Sequence, residues 1–306
     1  MDYRPEGCIF ESITNQRLIS SYEGLAEAME KGIILEANAV LCTSSHDLIV
    51  ELPCAKGVIP PREEGAIGVK EGNTRDIAII SRVNKIVCFK VKELTLGVND
   101  ELIAVLSRKD AQLQCTEEYI SGLSSGDIIE ARVTHLEQFG SFVDIGCGIP
   151  SLIPIDVMSV SRISHPSDRF TTGQLIRAVV IQNEKGRVFL SHKELLGTWE
   201  ENAHQFKTGE TVPGIVRSIE EYGIFVELSP NLAGLAEPKE GLKPGQSVSV
   251  YIKAIIPDKM KIKLIIVDVC GDSSEPMPLK YYTDENKIRL WQYSTASSEK
   301  DIKTVF

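Results

Sequence analysis

Ala131-Arg132-Val133-Thr134-His135-Leu136-Glu137-Gln138-Phe139-Gly140-Ser141-Phe142-Val143-Asp144 is echoed further along the chain by Gly214-Ile215-Val216-Arg217-Ser218-Ile219-Glu220-Glu221-Tyr222-Gly223-Ile224-Phe225-Val226-Glu227. Both stretches set an aromatic, a glycine and a second aromatic at the same offsets after an alternating run. A fixed self-similarity signals repeated modules rather than one large fold. Each copy continues through a small-residue turn, Gly146-Cys147-Gly148-Ile149-Pro150 or Ser229-Pro230-Asn231, and a short apolar piece, Leu152-Ile153 or Leu235-Ala236. A Gly-Gln pair then opens another alternating strand, Gly173 to Val180 in one copy and Gly245 to Ile252 in the other. Five short period-two strands broken by Gly, Pro and Asn predict small all-β barrels, whose closure removes exposed edges.

A weaker third copy lies upstream. Ala37-Asn38-Ala39 leads to Leu48-Ile49-Val50-Glu51 and the turn Gly57-Val58-Ile59-Pro60, followed by an insertion from Glu63 to Ile80 and strands at Lys85 to Val91 and Leu102 to Leu106. At the positions of Phe139, Gly140 and Phe142 this copy carries Ser45, His46 and Leu48, so the aromatic platform is missing. Stretches starting at Leu106-Ser107-Arg108-Lys109 and Leu190-Ser191-His192-Lys193 are rich in helix formers and lack internal proline; they predict short connecting helices reaching Tyr119 and Phe206. The expected organisation is an N-terminal segment 1–19, a degenerate barrel 20–110, barrels 111–197 and 198–270, and a tail 271–306. The tail alternates around Leu290-Trp291-Gln292 and is expected to pack on a neighbour as a hairpin or strand.

At 306 residues the chain is long enough for two or three domains, and 42% apolar residues suit a folded protein. No run approaches the roughly 20 apolar residues of a membrane span. The start carries Asp2 and Glu6 and lacks the apolar core of a signal peptide, so a cytoplasmic location is expected. Seven scattered cysteines without a Cys-x-x-Cys pair argue against a disulfide framework and a zinc site, and are read as reduced, buried thiols.

A net charge of −10 and a pI near 5.2 oppose general phosphate binding. The excess is uneven: residues 205–270 hold eight acidic and eight basic side chains, and residues 118–197 hold nine and seven. Near-neutral barrels can still hold single strands, because aromatic stacking contributes about 1–3 kcal/mol per base without high net charge. Duplex binding is disfavoured.

Alternation picks the face. With Val133, Val143, Val188 and Leu190 inside the second barrel, Arg132, Thr134, Phe142, Arg177, Arg187 and Phe189 are expected outside. In the third barrel Ile215, Arg217, Phe225, Ser249, Lys261 and Lys263 take those places, with Tyr251 beside them. Phe139 and Tyr222 sit at the turns. Rings for stacking and Arg or Lys for the backbone are the chemistry of single-strand recognition.

The segment Gly126 to Lys193 resembles the S1 RNA-binding domain, whose signature is a Gly-Lys-Val type strand, Phe-Gly-x-Phe-Val, Gly-Leu-x-His and a closing Leu-Ser-x-Lys. Those elements stand here as Ala131-Arg132-Val133, Phe139-Gly140-Ser141-Phe142-Val143, Ser151-Leu152-Ile153-Pro154 and Leu190-Ser191-His192-Lys193. The third module resembles it through Gly214-Ile215-Val216, Tyr222-Gly223-Ile224-Phe225-Val226 and Gly234-Leu235-Ala236-Glu237. The tandem array is similar to the bacterial small-subunit ribosomal S1 family in its short Gram-positive form. The resemblance implies three tandem five-stranded oligonucleotide-binding (OB-fold) barrels joined by short helices, with a C-terminal extension. It further implies single-stranded RNA, namely mRNA, as partner of the second and third barrels, and a ribosomal docking role for residues 20–110. The family's histidine is replaced by Pro154 and Glu237, and the third module lacks the Leu-Ser-x-Lys closure, which implies weaker affinity.

No catalytic chemistry is legible. His46, His135, His165, His192 and His204 are scattered, none at metal-ligand spacing, and no phosphate loop, nucleophile elbow or paired-carboxylate motif occurs. We expect no enzyme activity, no metal and no cofactor, and a non-catalytic RNA-binding protein of the translation apparatus. The alternatives are a protein-interaction scaffold of degenerate barrels, or an accessory RNA-binding subunit in RNA decay or transcription.

Overall fold

The computed structural model describes residues 3–63, 79–97, 101–272 and 276–306. Most of the insertion read between Glu63 and Ile80 lies outside the described residues. The described strands build three closed five-stranded barrels and one short sheet. The first barrel comprises β1 (Leu35–Cys42), β2 (Leu48–Leu52), β3 (Ala55–Ile59), β4 (Lys85–Leu96) and β5 (Leu102–Ser107). The second uses β6 (Ile128–Glu137), β7 (Gly140–Asp144), β8 (Pro150–Pro154), β9 (Leu175–Glu184) and β10 (Arg187–Ser191). The third uses β11 (Thr211–Glu220), β12 (Gly223–Ser229), β13 (Leu232–Ala236), β14 (Gln246–Ile256) and β15 (Lys261–Asp272). In all three the order around the barrel is first, second, third, fifth, fourth. The third strand meets the fifth in parallel each time, and that pairing closes the oligonucleotide-binding topology. Val133, Val143, Val188 and Leu190 are buried, as their alternation requires.

Two helices, Ile13–Ile19 and Tyr22–Lys31, precede β1. Ser12 and Ser21 cap them by accepting from Asn15 and Gly24 amides, and Gly32 ends the second at φ 63°. The helix Arg108–Glu118 follows β5 and is capped by Ser107. After β10 the chain forms two short pieces instead of the expected helix to Phe206: a 3-10 turn Lys193–Leu196 and the helix Trp199–Ala203. Gly197 divides them at φ 82°, and a Cβ there would lie 2.7 Å from the Tyr282 ring. The glycine is fixed by that packing. Only Cys88, Cys115 and Cys147 are buried; Cys8, Cys42 and Cys54 are half-buried and Cys270 is exposed, so the reading of all seven as buried thiols is too broad. Among the described residues no helix is long and apolar enough to cross a membrane.

The chain falls into two compact units, residues 1–123 with 130–132 and 144–150, and residues 124–129, 133–143 and 151–306. In the first unit the N-terminal segment is pinned by buried carboxylates. Glu6 accepts from Arg108 Nε at 2.7 Å and from the Cys88 amide at 3.1 Å, while its own amide donates to Asp144 at 2.6 Å. Glu36 accepts from the Gly7 and Ile9 amides. Burial opposes ionisation of Glu6, but the Arg108 charge and hydrogen bond outweigh it and hold its carboxyl below the usual range. Burial pushes Glu36 up to about 7 and, with the Glu6 charge adding to it, Asp144 up to about 7.

In the second unit His192 is buried between the Phe170 and Tyr281 rings, at 4.9 and 5.7 Å between centroids, and its Nδ1–H donates to the Met158 carbonyl at 2.9 Å. Burial pushes its pKa down to about 4. A histidine whose folded pKa is depressed contributes stability that is complete above about 6.5 and is lost as pH falls toward 4. Glu36 and Asp144, with raised values, contribute stability that is complete below their unfolded values near 4 and is lost as pH rises through about 7. Glu36 and Asp144 therefore respond to pH in the sense opposite to His192, while Glu6, held low, responds in the same sense as His192. Both tryptophans, Trp199 and Trp291, lie in the third barrel's core, so tryptophan fluorescence follows the second unit. Its unfolding free energy is expected to rise by about 3 kcal/mol from pH 4 to pH 6.5, and a His192→Phe variant should flatten that rise. An unchanged pH profile in the variant would exclude His192 as its source.

Candidate nucleic-acid interface

The repeated motif folds the same way twice. Phe139 sits in the turn before β7 and Phe142 lies on β7; their rings meet edge to face, 6.0 Å between centroids and 89° between planes. Tyr222 and Phe225 do the same at the start of β12, at 6.2 Å and 89°. Phe139 is 56% exposed and Tyr222 67%, whereas Phe142 and Phe225 are half-buried. An edge-to-face pair leaves a ring face open to a third aromatic. The glycine between the rings has a steric cause: a Cβ on Gly140 would lie 2.6 Å from the Ile153 carbonyl oxygen, and one on Gly223 would lie 2.6 Å from that of Ala236. Only glycine lets the neighbouring strand approach this closely.

Pairing extends each platform sideways. In the third barrel Phe225 is opposite Leu235, and Leu235 is opposite Lys263, so ring, leucine and ammonium lie in one row across β12, β13 and β15. In the second barrel Leu152 is opposite Phe189, which is 42% exposed. Arg187, two residues before Phe189, and Lys261, two before Lys263, are exposed on the same faces. Tyr251 faces out opposite Ile265.

The arginines expected on this face are placed differently. Arg132 is half-buried, its Nη2 donating to Cys8 Sγ at 3.2 Å. Arg177 donates to the Thr283 and Glu285 carbonyls, the latter at 2.6 Å, and stacks 5.8 Å over Tyr281. Arg217 sits where the β11–β12 register shifts between Val216 and Ser218; that bulge turns it inward to pair with Glu227 and with Asp168 at 2.9 Å. Three outward guanidinia thus become internal ties. Phe139, Phe142, Arg187, Phe189, Tyr222, Phe225, Tyr251, Lys261 and Lys263 stay with the platform. One group was not read in advance as a contact: Glu237, at the end of β13, forms an exposed pair with Lys253 at 3.3 Å. Among the described residues no group of His, Cys, Asp and Glu could hold a metal ion.

Residues 123–193, which hold the second barrel, match the family model described as S1 RNA binding domain. That segment is the part of the chain similar to an S1 RNA-binding domain. The chain's relatives include proteins named small ribosomal subunit protein bS1. That of Leuconostoc lactis is 34% identical over 178 residues, 52% of this chain and 41% of the relative. That of Staphylococcus aureus strain COL is 27% identical over 289 residues, 87% of this chain and 71% of the relative. The chain is thus similar to bS1 proteins over most of its length, while spanning 41% of the first of these relatives. A crystal structure of a multidomain protein with nucleic acid binding domains from Streptococcus pneumoniae is 14% identical, covering 77% of this chain and 73% of that one at a TM-score of 0.26. That likeness carries no functional weight.

Proposed function

We propose that this chain is a non-catalytic, cytoplasmic RNA-binding protein of the translation apparatus, holding unstructured mRNA on its second and third barrels. The observation that carries the reading is the duplicated edge-to-face aromatic pair, exposed at the same place on two barrels with the same angle. Bases stack on Phe142 and Phe225 with Phe139 and Tyr222 beside them, and Arg187, Lys261 and Lys263 meet phosphates. Two weak sites on one chain gain by effective concentration. The first barrel lacks the platform, since Leu48 at the second aromatic's position is buried and His46 occupies the turn at φ 64°. We assign it to docking on the small ribosomal subunit, a reading that the bS1 relatives support.

Titration of the full chain against unstructured single-stranded RNA tests this. Phe142→Ala and Phe225→Ala are each expected to weaken binding by about 1–3 kcal/mol, roughly 5- to 150-fold. With three cations on the face, the salt slope is expected near −2, from about −0.7 per phosphate on single strands. Unchanged affinity in the double variant would refute the stacking mechanism. The capture of Arg132, Arg177 and Arg217 by internal partners favours the scaffold reading instead; that reading predicts no salt-dependent RNA binding by the intact chain together with stable co-purification of a protein partner.

A further inference from the structure

The two aromatic platforms differ in several residues, among them the one that replaces the family's histidine, Glu237 in the third barrel and Pro154 in the second. In the third barrel Phe225 is opposite Leu235 and Ile224 is opposite Ala236, and Glu237 follows just past the end of β13, on the side toward Gly223 and Tyr222. Ala236 is buried, hence Leu235 and Glu237 share the outward face with Phe225. Gly223 carries no side chain, and the Ala236 carbonyl oxygen and the Leu235 side chain close over it, with Glu237 following directly after Ala236. The partner of the Glu237 carboxylate is Lys253 Nζ at 3.3 Å, with both side chains more than half exposed. Such a pair binds weakly and is readily exchanged for a better donor set. In the second barrel the corresponding residue is Pro154, whose Cα lies 3.1 Å from where a Cβ on Gly140 would be. It offers nothing to a base edge.

A carboxylate on a face that holds RNA is unfavourable toward phosphate unless it meets donors. Guanine alone among the four bases presents two adjacent donors, N1–H and N2–H, matching the two oxygens of one carboxylate. Adenine and cytosine place an acceptor beside their amino group, and uracil flanks its N3–H with two carbonyls, so each turns lone pairs toward Glu237. Repulsion of the wrong base adds to attraction of the right one. We propose that the third barrel selects guanine, with Glu237 accepting both Watson–Crick-edge donors of a base stacked on Phe225. The second barrel, with Pro154, takes any base. On release from Glu237 the Lys253 ammonium turns to the neighbouring phosphate. This assignment rests on the reading of the paired aromatics as an RNA platform.

The test uses the full chain and labelled oligouridine strands carrying a single central guanosine, inosine, adenosine or cytidine. Wild type is expected to bind the guanosine strand about 5- to 150-fold more tightly than the adenosine or cytidine strand, as for a bidentate base contact. Inosine, lacking the N2 amine, should fall between. Glu237→Gln is expected to erase the preference while leaving oligouridine affinity equal or higher, because a charge facing phosphate is removed. Phe225→Ala should abolish the preference and Phe142→Ala should retain it. Equal binding of guanosine and adenosine strands by wild type, with RNA bound in both cases, overturns the guanine assignment alone. No binding of any strand overturns the RNA platform as well.

Discussion

Replacing Glu227 by leucine is expected to destabilise the second unit by about 3–5 kcal/mol, the usual penalty for stranding a buried charge. Arg169 and Glu227 are both fully buried and meet at 2.7 Å. Arg169 belongs to the segment before β9 and Glu227 to β12, so the pair ties the second barrel to the third. Among the described residues the other Arg169 nitrogens meet the neutral Ser159 hydroxyl, at 2.9 and 3.2 Å. Arg217 shares the same carboxylate and also holds Asp168. Without Glu227, Arg169 loses its carboxylate while Arg217 keeps only the half-buried Asp168 as an ion-pair partner among the described residues. Replacing both partners, Arg169→Met with Glu227→Leu, removes the charge along with its counter-charge and should be much less harmful than Glu227→Leu alone. Urea unfolding followed by tryptophan fluorescence measures it, since Trp199 and Trp291 both report on the third barrel. A loss below about 1 kcal/mol in the single variant would mean the barrels part and hydrate Arg169 at little cost.

The repeat made the barrels legible because period-two alternation and glycine-marked turns are local signals, and closure follows from too few strands to leave edges open. The aromatic platform was legible for the same reason: its residues sit within four positions of one another. Arg132, Arg177 and Arg217 show where such reading ends. Alternation sets the face a side chain leaves from, not what a distant segment lays over it. Arg177 is taken up by carbonyls more than a hundred residues later, and Arg217 is turned by a bulge that its own sequence does not mark. The helices before β1 carried a readable signal in Ser12, Ser21 and Gly32, which a strand-directed reading passes over. Glu237 was visible only as a departure from a motif, because its Lys253 partner lies on a different strand.

The tail gives the other large effect. β16 (Leu290–Gln292) and β17 (Lys303–Val305) pair over three residues, and a two-stranded ribbon of that length is not stable in water on its own. Its order must come from burial. Trp291 and Tyr293 are 6% and 5% exposed, 5.5 Å apart between ring centroids, and belong to the third barrel's core. Tyr293 Oη donates to the Asn231 carbonyl at 2.6 Å, and the buried Asn231 amide in turn donates to the Lys193 and Gly197 carbonyls while accepting from the Val160 amide. Truncating Trp291 therefore empties core volume and loosens the strap that crosses both barrels. Trp291→Ala is expected to cost about 3–5 kcal/mol, a fall of roughly 6–20 °C in Tm for a unit of this size. Trp291→Phe keeps most of the apolar area and gives up an indole N–H that has no hydrogen-bond partner among the described residues, so it should cost far less. Thermal unfolding followed by circular dichroism separates the two, because removal of Trp291 weakens the fluorescence signal. Equal Tm values for wild type and Trp291→Ala would mean that the tail lies on the barrel without contributing to its core.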